Sequence, residues 1–206
     1  NENFIKVSYK IGINLGKEIL KYTYKDKALI IYDYNYQLTL NNEKFTKENL
    51  WLLGLIGQLK KSMGNTIDAI IDYKKAIEGL FEHNEPFAAA QNQLRLSEIY
   101  KQENNLLDAL TIAIKSLQII KSESGLVHLV TATAMSYIGS IYIYMEDWTQ
   151  AEEYVKTSMT IREKLMGDNS TKVCINYVNY ASVLANTQRT EEAEKYLNKA
   201  LEIRIG

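Results

Sequence analysis

Five alanines recur along this chain at a nearly constant interval: Ala28, Ala69, Ala109, Ala151 and Ala193. The steps between them are 41, 40, 42 and 42 residues. A period of this size is typical of stacked structural repeats, in which each unit buries its apolar face against its neighbours. The chain is therefore predicted to be a linear array of five similar units.

The residues around each alanine recur as well. Twelve positions before the alanine the residue is always small: Gly16, Gly57, Ser97, Gly139 and Ala181. Four positions after it stand Tyr32, Tyr73, Ala113, Val155 and Leu197, and seven positions after it stand Asn35, Ala76, Ser116, Ser158 and Ala200. Spacings of four and seven place side chains on one face of an α-helix. The earlier small residue is assigned to a separate helix, and small residues on both helices permit close packing.

Short polar breaks separate the two helices of each unit. Examples are Gly64–Thr66 and Glu146–Asp147, where Asn, Asp or Thr can cap the helix that follows. Pro86, the one proline of the chain, is placed in the first turn of a helix, where its missing N–H group costs nothing. No segment alternates with period two, so the sequence predicts an all-α chain of ten helices in five antiparallel pairs. The predicted repeats cover about 3–44, 45–84, 85–123, 124–167 and 168–206 of a single domain, 1–206.

One unit carries a motif that is similar to the tetratricopeptide repeat (TPR). Gly139–Tyr142 and Trp148–Glu152 supply the small residue, a bulky residue three positions later and the packing alanine. The last two units, with Ile161–Leu165, Glu191–Ala193 and Ala200–Arg204, resemble the 42-residue repeats of kinesin light chains. The usual TPR unit has about 34 residues, so these units are long, and they lack the proline that often ends one. The resemblance implies a right-handed superhelical α-solenoid whose first helices line the concave side.

The resemblance also implies where a partner would bind. Offsets of −18, −15, −11, −8 and −7 from the alanine lie on one side of each first helix, and −14 borders it. The candidate partner-binding residues on this face are Lys10, Lys17, Lys21, Trp51, Lys61, Arg95, Lys101, Tyr137, Tyr144, Asn179 and Asn186. In the first three units the face has six basic residues and one acidic residue, and in the last two it has no charged residue. The expected ligand is a peptide with acidic residues and an apolar anchor.

A simpler explanation of these residues stays open. Exposed helix faces often carry lysine, and Trp51 and Tyr137 could be packing residues. One specialised TPR function is disfavoured, namely the capture of chaperone C-terminal carboxylates. Ile13 and Leu55 stand where that function would require polar side chains.

No set of residues predicts catalysis, a metal site or a cofactor. His83 lies at a joint between units, His128 is placed on a helix, and Cys174 has no histidine near it in the sequence. A net charge of −1 gives no general attraction to nucleic acid or to an anionic membrane. No apolar run approaches the ~20 residues that cross a bilayer, and no signal peptide is visible. We expect a cytoplasmic, non-enzymatic protein that contacts neither nucleic acid nor membrane.

Three functional hypotheses remain. The first is an interaction scaffold or adaptor that holds a peptide segment of a partner protein. The second is the peptide-sensing domain of a bacterial transcription regulator of the quorum-sensing type, with Asn179 and Asn186 contacting the peptide backbone. The third is a structural spacer that binds no peptide in a saturable way.

The two ends of the sequence carry a further expectation. The chain starts without Met and stops directly after a helical pattern, so we expect it to be part of a longer protein. The last helix leaves Leu197, Ala200 and Leu201 without a following repeat, whereas repeat arrays need a polar cap over the terminal unit. This face is expected to meet further helix or another molecule, including a second copy of the chain.

Overall fold

A computed structural model describes residues 2–21, 24–40, 42–43 and 46–205, which form ten α-helices and no β-strand. The helices are α1 (Glu2–Lys21), α2 (Lys25–Thr39), α3 (Thr46–Ser62), α4 (Thr66–Glu82), α5 (Pro86–Gln102), α6 (Leu106–Ser124), α7 (Leu129–Tyr144), α8 (Trp148–Met166), α9 (Cys174–Asn186) and α10 (Thr190–Ile205). The all-α class is confirmed, and α5 begins at Pro86 as expected. The predicted boundary at residues 44 and 45 lies outside the described residues, as does residue 206.

The helices pack in chain order. Within pairs, α1 contacts α2, α3 contacts α4, α7 contacts α8 and α9 contacts α10. Consecutive pairs meet where α2 contacts α3, α6 contacts α7 and α8 contacts α9. This nearest-neighbour pattern is that of a helical repeat array.

The chain forms two compact units, Asn1–Leu96 and Ser97–Gly206, whose boundary falls within α5. The first has a core in which Tyr32 and Tyr36 pack with residues of α3 and α4. The second has a core around Tyr177 on α9, to which α8 and α10 also contribute. Each unit therefore buries apolar side chains of its own.

The five periodic alanines have one structural role. Each is the fourth residue of the second helix of its pair. Four are completely buried, and Ala193 is 4% exposed. The backbone N–H of each donates to the carbonyl oxygen four residues earlier and so closes the first helical turn. The period in the sequence therefore marks the turn at which each second helix starts to pack.

The small residue twelve positions earlier lies against the side chain four positions after the alanine. A Cβ atom added to Gly16 would lie 2.2 Å from the Tyr32 ring. One added to Gly139 would lie 2.6 Å from Cγ2 of Val155. Close approach of the two helices therefore depends on the absence of a side chain at these positions.

The turn between the two helices also recurs in the second to fifth pairs. Five positions before the alanine the backbone is left-handed, with φ of 88° at Gly64, 61° at Asn104, 59° at Glu146 and 63° at Gln188. The next residue then donates its N–H to a carbonyl oxygen five positions back, as Asp147 does to Tyr142 at 3.0 Å. This Schellman arrangement satisfies carbonyl groups at the end of the first helix.

Side-chain capping is less regular than the sequence suggested. Asp147 Oδ1 accepts a hydrogen bond from the Gln150 N–H at 3.1 Å and caps α8 as expected. Asn65 and Asn105 precede α4 and α6 without a side-chain cap bond. The turn backbone already positions those two helices, so the cap is optional there.

The placement of His128 on a helix is wrong. His128 has extended backbone dihedrals and precedes α7, where its Nδ1 atom accepts a hydrogen bond from the Val130 N–H at 3.2 Å. It is therefore the N-cap residue of α7. The apolar residues around it in the sequence hid this role.

Candidate functional site

In the first compact unit, the candidate residues on α1 are exposed. Lys10 and Lys17 form no ion pair with any described residue. Lys21 pairs with Glu18 at 2.7 Å on the surface of the same helix, where such pairs contribute little stability. The α1 helix therefore presents two cations directly to solvent.

The other candidates of this unit differ in exposure. Trp51 on α3 is 51% exposed. Lys61 and Arg95 are half-buried, and Arg95 donates a long hydrogen bond of 3.4 Å to Asn92 Oδ1. A half-exposed indole on a helix face is a group that a partner could cover.

In the second unit, Lys101 belongs to a polar cluster. Its ammonium group lies 3.0 Å from a Glu98 carboxylate oxygen and donates to Ser140 Oγ at 3.0 Å. The same group lies 5.2 Å from the centroid of the Tyr144 ring, and Lys101 is only 8% exposed. The side chain therefore ties the end of α5 to α7, and its charge is already shared with Glu98.

The first helices α7 and α9 contact each other, so their outward faces adjoin. The exposed large side chains on these faces are Tyr144 (58%), Ile175 (48%) and Val178 (36%). Ile175 and Val178 stand at offsets −18 and −15 from Ala193, which belong to the face predicted to bind a partner. The surface formed by Tyr137, Tyr144, Ile175, Val178, Asn179 and Asn186 is called the α7–α9 surface below.

Amide groups lie beside these apolar side chains. Asn179 is half-buried, and its side chain forms no hydrogen bond with a described residue. Asn186 is exposed, and its Nδ2 donates to the Ser182 carbonyl oxygen at 2.8 Å. An amide offers both donors and an acceptor, so Asn179 can satisfy a peptide group laid against it.

A buried arginine beneath this surface was not singled out from the sequence. Arg162 on α8 donates to Asn176 Oδ1, to the Lys172 carbonyl oxygen at 3.3 Å and to Thr133 Oγ1 at 3.0 Å. Burial lowers the pKa of its guanidinium. These bonds join α8 to α7 and α9 and hold the two helices that carry the surface. The signal in the sequence was the arginine of Ile161–Leu165, which was read only as part of a family motif.

The residue types that could bind a metal or take part in catalysis make contacts within the fold. The described residues contain no group of three His, Cys, Asp or Glu side chains that could hold a metal ion. The buried Cys174 thiol lies 3.8 Å from the Ala200 carbonyl oxygen, and Nδ1 of His83 lies 2.8 Å from that of Gly79. Among the described helices, none is long and apolar enough to cross a membrane.

Family comparisons agree with this architecture. Tetratricopeptide repeat models match residues 87–164 and 130–205, and a further one matches residues 52–78. These matches cover more than half of the chain, which belongs to the tetratricopeptide repeat family. No curated protein sequence matches it. TPR proteins are generally non-enzymatic scaffolds that bind other proteins, and that is the class of function the fold supports.

Several solved structures of repeat proteins have a fold similar to that of this chain. BtubC (BKLC) from P. vanneervenii superposes with a TM-score of 0.79 at 18% identity, over 93% of this chain and 77% of that one. A putative kinesin light chain from Podosopora anserina with nearly identical TPR-like repeats gives 0.74 at 11% identity, over 95% and 93%. The TPR-sensor protein of the STAND ATPase class from Pyrococcus horikoshii gives 0.71 at 16% identity, over 95% and 30%. The resemblance to kinesin light chain repeats is thereby confirmed at the level of the fold.

Proposed function

We propose that this protein is a cytoplasmic scaffold or adaptor that holds a peptide segment of a partner, and that the apolar anchor of that segment lies on the α7–α9 surface. One observation carries the proposal. Ile175 and Val178, three residues apart on α9, expose large side chains beside Asn179, and Tyr144 is exposed on α7, which contacts α9. Clustered exposed apolar groups with polar neighbours are typical of protein-binding sites.

The polar groups of the surface suit a peptide backbone. Asn179 is available for two hydrogen bonds from its amide nitrogen and for others to its oxygen. The network of Arg162 holds the supporting helices in place, so binding would order few new groups in the protein. Low ordering entropy favours measurable affinity for a short segment.

The first compact unit is expected to bind a different kind of ligand. Lys10 and Lys17 are exposed and unpaired with described residues, and they favour acidic groups in a ligand. Trp51 adds a half-exposed aromatic surface on α3. Acidic segments are therefore the expected ligands of this unit, and their binding should weaken as salt is added.

A random peptide library displayed on phage tests both surfaces with the 206-residue chain as bait. The enriched peptides are synthesised, and their affinities are measured by fluorescence anisotropy against wild type, Ile175→Ser, Asn179→Ala and a Lys10→Glu/Lys17→Glu double variant. Ile67→Ser is the matched control, because Ile67 is 77% exposed on α4 and lies at neither surface.

We expect apolar peptides to lose at least about tenfold in affinity with Ile175→Ser or Asn179→Ala, which corresponds to loss of one apolar contact or hydrogen bond. Acidic peptides should lose affinity only with the lysine double variant. Unchanged affinities in these variants, or losses as large with Ile67→Ser, would refute the assignment of the surfaces. A library with no saturable binder would favour a structural spacer.

The peptide-sensing hypothesis has one specific observation in its favour: the amide of Asn179 forms no hydrogen bond with the part of the chain that the structure describes. A sensor would bind free peptides of fewer than about ten residues, because a coil of that size can be ordered at acceptable entropic cost. Trimming the enriched peptides from both ends separates the two functions. Retained affinity in the shortest peptides indicates a sensor, and its loss indicates a scaffold for longer segments.

Self-association through α10 is part of the same proposal. Leu197 and Leu201 are 48% and 55% exposed, as the sequence led us to expect. Ala200 does not belong to the open face, because it is buried in the core of the second unit. The available apolar surface of α10 therefore consists of the two leucines and Ile205.

A further inference from the structure

The first helices of the last two pairs carry no charged side chain. Neither α7, over 16 residues, nor α9, over 13, contains Asp, Glu, Lys or Arg, although 24% of the residues in the chain are charged. All six residues of the α7–α9 surface lie on these two helices. A charged group of a ligand would therefore be desolvated there without meeting an opposite charge on either helix.

Charged residues border the α7–α9 surface without belonging to it. Lys172 is exposed two positions before α9, and Glu146 and Asp147 are exposed after the end of α7. Beneath the surface, the guanidinium of the buried Arg162 donates hydrogen bonds to three neutral oxygen atoms. A further cation, Lys101 of α5, reaches the edge of the surface from a neighbouring helix.

The Lys101 ammonium group lies beside two members of the α7–α9 surface. It is 5.2 Å from the centroid of the Tyr144 ring, and it donates a hydrogen bond of 3.0 Å to Ser140 Oγ. The Ser140 hydroxyl in turn donates to the Tyr137 carbonyl oxygen at 2.8 Å. An uncompensated charge at this point would act on any group that is bound over the two tyrosines.

Glu98 compensates that charge. One of its carboxylate oxygens lies 3.0 Å from the Lys101 ammonium group, and the other accepts a long hydrogen bond of 3.4 Å from Gln102 Nε2. The Glu98 and Lys101 side chains are 18% and 9% exposed, so solvent and salt screen the pair only weakly. The two charges therefore cancel at the edge of the surface.

We propose that Glu98 determines the ligand specificity of the α7–α9 surface: by cancelling the charge of Lys101, it keeps the surface neutral and suited to an uncharged peptide segment. Glu98 acts through Lys101 and need not touch the ligand. The inference rests on the proposed peptide binding at that surface. Charged ligands are disfavoured because they are desolvated without a compensating ion partner, whereas uncharged side chains can contact Tyr144, Ile175 and Asn179.

Three variants separate the two charges of the pair. Glu98→Gln leaves the charge of Lys101 uncompensated, Lys101→Met leaves that of Glu98, and Glu98→Gln/Lys101→Met removes both. Glu153→Gln is the matched control, because it removes one negative charge from an exposed position on α8, outside the surface. A circular dichroism melt checks folding. Lys101→Met and the double variant still test the inference if Glu98→Gln alone does not fold.

The probe is an uncharged peptide that the phage library yields with the wild-type chain as bait. Two copies of it are synthesised, one with a single Glu and one with a single Lys at a position where alanine is tolerated. Fluorescence anisotropy gives the affinity of the three peptides for each protein at low and at high salt. A loss of affinity with Ile175→Ser confirms that each peptide binds the α7–α9 surface.

On wild type we expect the uncharged peptide to bind at least as tightly as either charged copy, with little dependence on salt. Glu98→Gln should shift the ratio of affinities toward the Glu copy by about fivefold, and Lys101→Met should shift it toward the Lys copy by a similar factor. The double variant should restore the wild-type ratio, and Glu153→Gln should leave it unchanged. A merely structural role of the pair would weaken the binding of all three peptides alike.

Two results overturn the inference alone. Unchanged ratios in Glu98→Gln and Lys101→Met would show that the pair does not set the charge preference, and would leave peptide binding intact. A wild type that binds a charged copy more tightly than the uncharged peptide, with an affinity that falls as salt is added, would show that the surface is not neutral. A library without any peptide whose affinity falls with Ile175→Ser would instead refute the proposed function, and this inference with it.

Discussion

At the scale of the residue, the turns show where the sequence departs from what the backbone prefers. Glu146 and Gln188 adopt φ of 59° and 63°, the left-handed region that Gly64 occupies in the second repeat. A side chain in that region costs about 1–2 kcal/mol, and glycine avoids most of that cost. The turn geometry recurs in the second to fifth repeats even where the residue is not suited to it.

Glu146→Gly is therefore expected to stabilise the protein. The gain should be about 0.5–1 kcal/mol after allowance for the greater freedom of glycine in the unfolded chain. Urea denaturation measures it as a higher midpoint. Glu153→Gly, at an exposed position inside α8, should lower the midpoint by a similar amount. Equal losses in both variants would contradict the expected role of the left-handed turn.

Another residue-scale effect concerns Glu152. Its Oε1 atom accepts hydrogen bonds from Arg189 at 2.8 Å and from the Tyr180 hydroxyl at 3.1 Å. The bond from Arg189 holds the pKa of this carboxyl below its usual value. A carboxyl whose pKa is lower in the folded state stabilises that state above its unfolded pKa. This contribution is lost as the pH falls through the lowered value.

Glu152→Gln should therefore be less stable than wild type at about pH 7, and the difference should shrink as the pH falls below the usual glutamate pKa of about 4.3 and through the lowered value. The difference at neutral pH should not exceed about 1 kcal/mol, because the pair is partly open to solvent. Thermal melts of both proteins across this range measure it. A difference that does not change with pH would show that the ion pair contributes nothing specific.

At the scale of the element, helix packing depends on a pair of complementary positions. Where the residue at offset −12 is glycine, the residue at +4 is large, as with Gly139 and Val155. In the third repeat the first position is Ser97, the second is Ala113, and both are fully buried. The combined volume of the two side chains where the helices cross is therefore limited, but the share that each helix contributes varies between repeats.

Gly139→Ala is expected to destabilise the protein by about 1–2 kcal/mol, the cost of overpacking less the helix propensity gained. The new Cβ atom would lie 2.6 Å from Val155 Cγ2 and 3.2 Å from its backbone nitrogen. Gly57→Ala is the milder control, since its nearest atoms are 3.3 Å away. Urea unfolding compares the variants.

A double variant tests whether a smaller side chain at one position compensates for a larger one at the other. Adding Val155→Ala to Gly139→Ala recreates the small pairing of the third repeat. The double variant should lose less stability than the sum of the two single variants, because the two positions share one space. Strict additivity would show that they do not interact.

At the scale of the whole molecule, the two terminal helices are the least covered. The described side chains of α10 include only two buried ones, Ala193 and Ala200, whereas α3 has seven buried residues. In a repeat array each unit is stabilised chiefly by its neighbours. The ends of such an array are expected to open more readily than its middle.

Hydrogen exchange measured by mass spectrometry should therefore show faster exchange in α1 and α10 than in α4 and α7 at low protein concentration. The rates in α10 should fall as the concentration rises, if a second copy covers its exposed leucines. The Leu197→Glu/Leu201→Glu variant should lose that concentration dependence at its own α10. Uniform protection along a monomeric chain would contradict the expected weakness of the ends.

Much of the architecture was readable from the sequence, because it depends on local spacing. The alanine period located the second helix of every pair, and the small residue twelve positions earlier located its partner. Glycine and polar residues located the turns. These features repeat, so five weak signals combined into one strong prediction.

The candidate site was only partly readable. The spacing placed Tyr144 and the lysines of α1 on helix faces that are indeed exposed. It could not show that Lys101 is buried beside Glu98, or that Arg162 reaches Thr133 and Asn176. The spacing also placed Ile175 on that face, at offset −18 from Ala193, and its apolar side chain is 48% exposed.

The sequence by itself determined the repeat, the helix pairs and the family, because each repeat is packed by residues within one period of each other. Only the tertiary structure decided which side chains remain available. The ammonium group of Lys101 donates a hydrogen bond to Ser140 Oγ, 39 residues away, whereas the Trp51 side chain on α3 stays 51% exposed. Availability depends on neighbours brought together by stacking, and a period records how repeats stack without recording what each stacked surface leaves exposed.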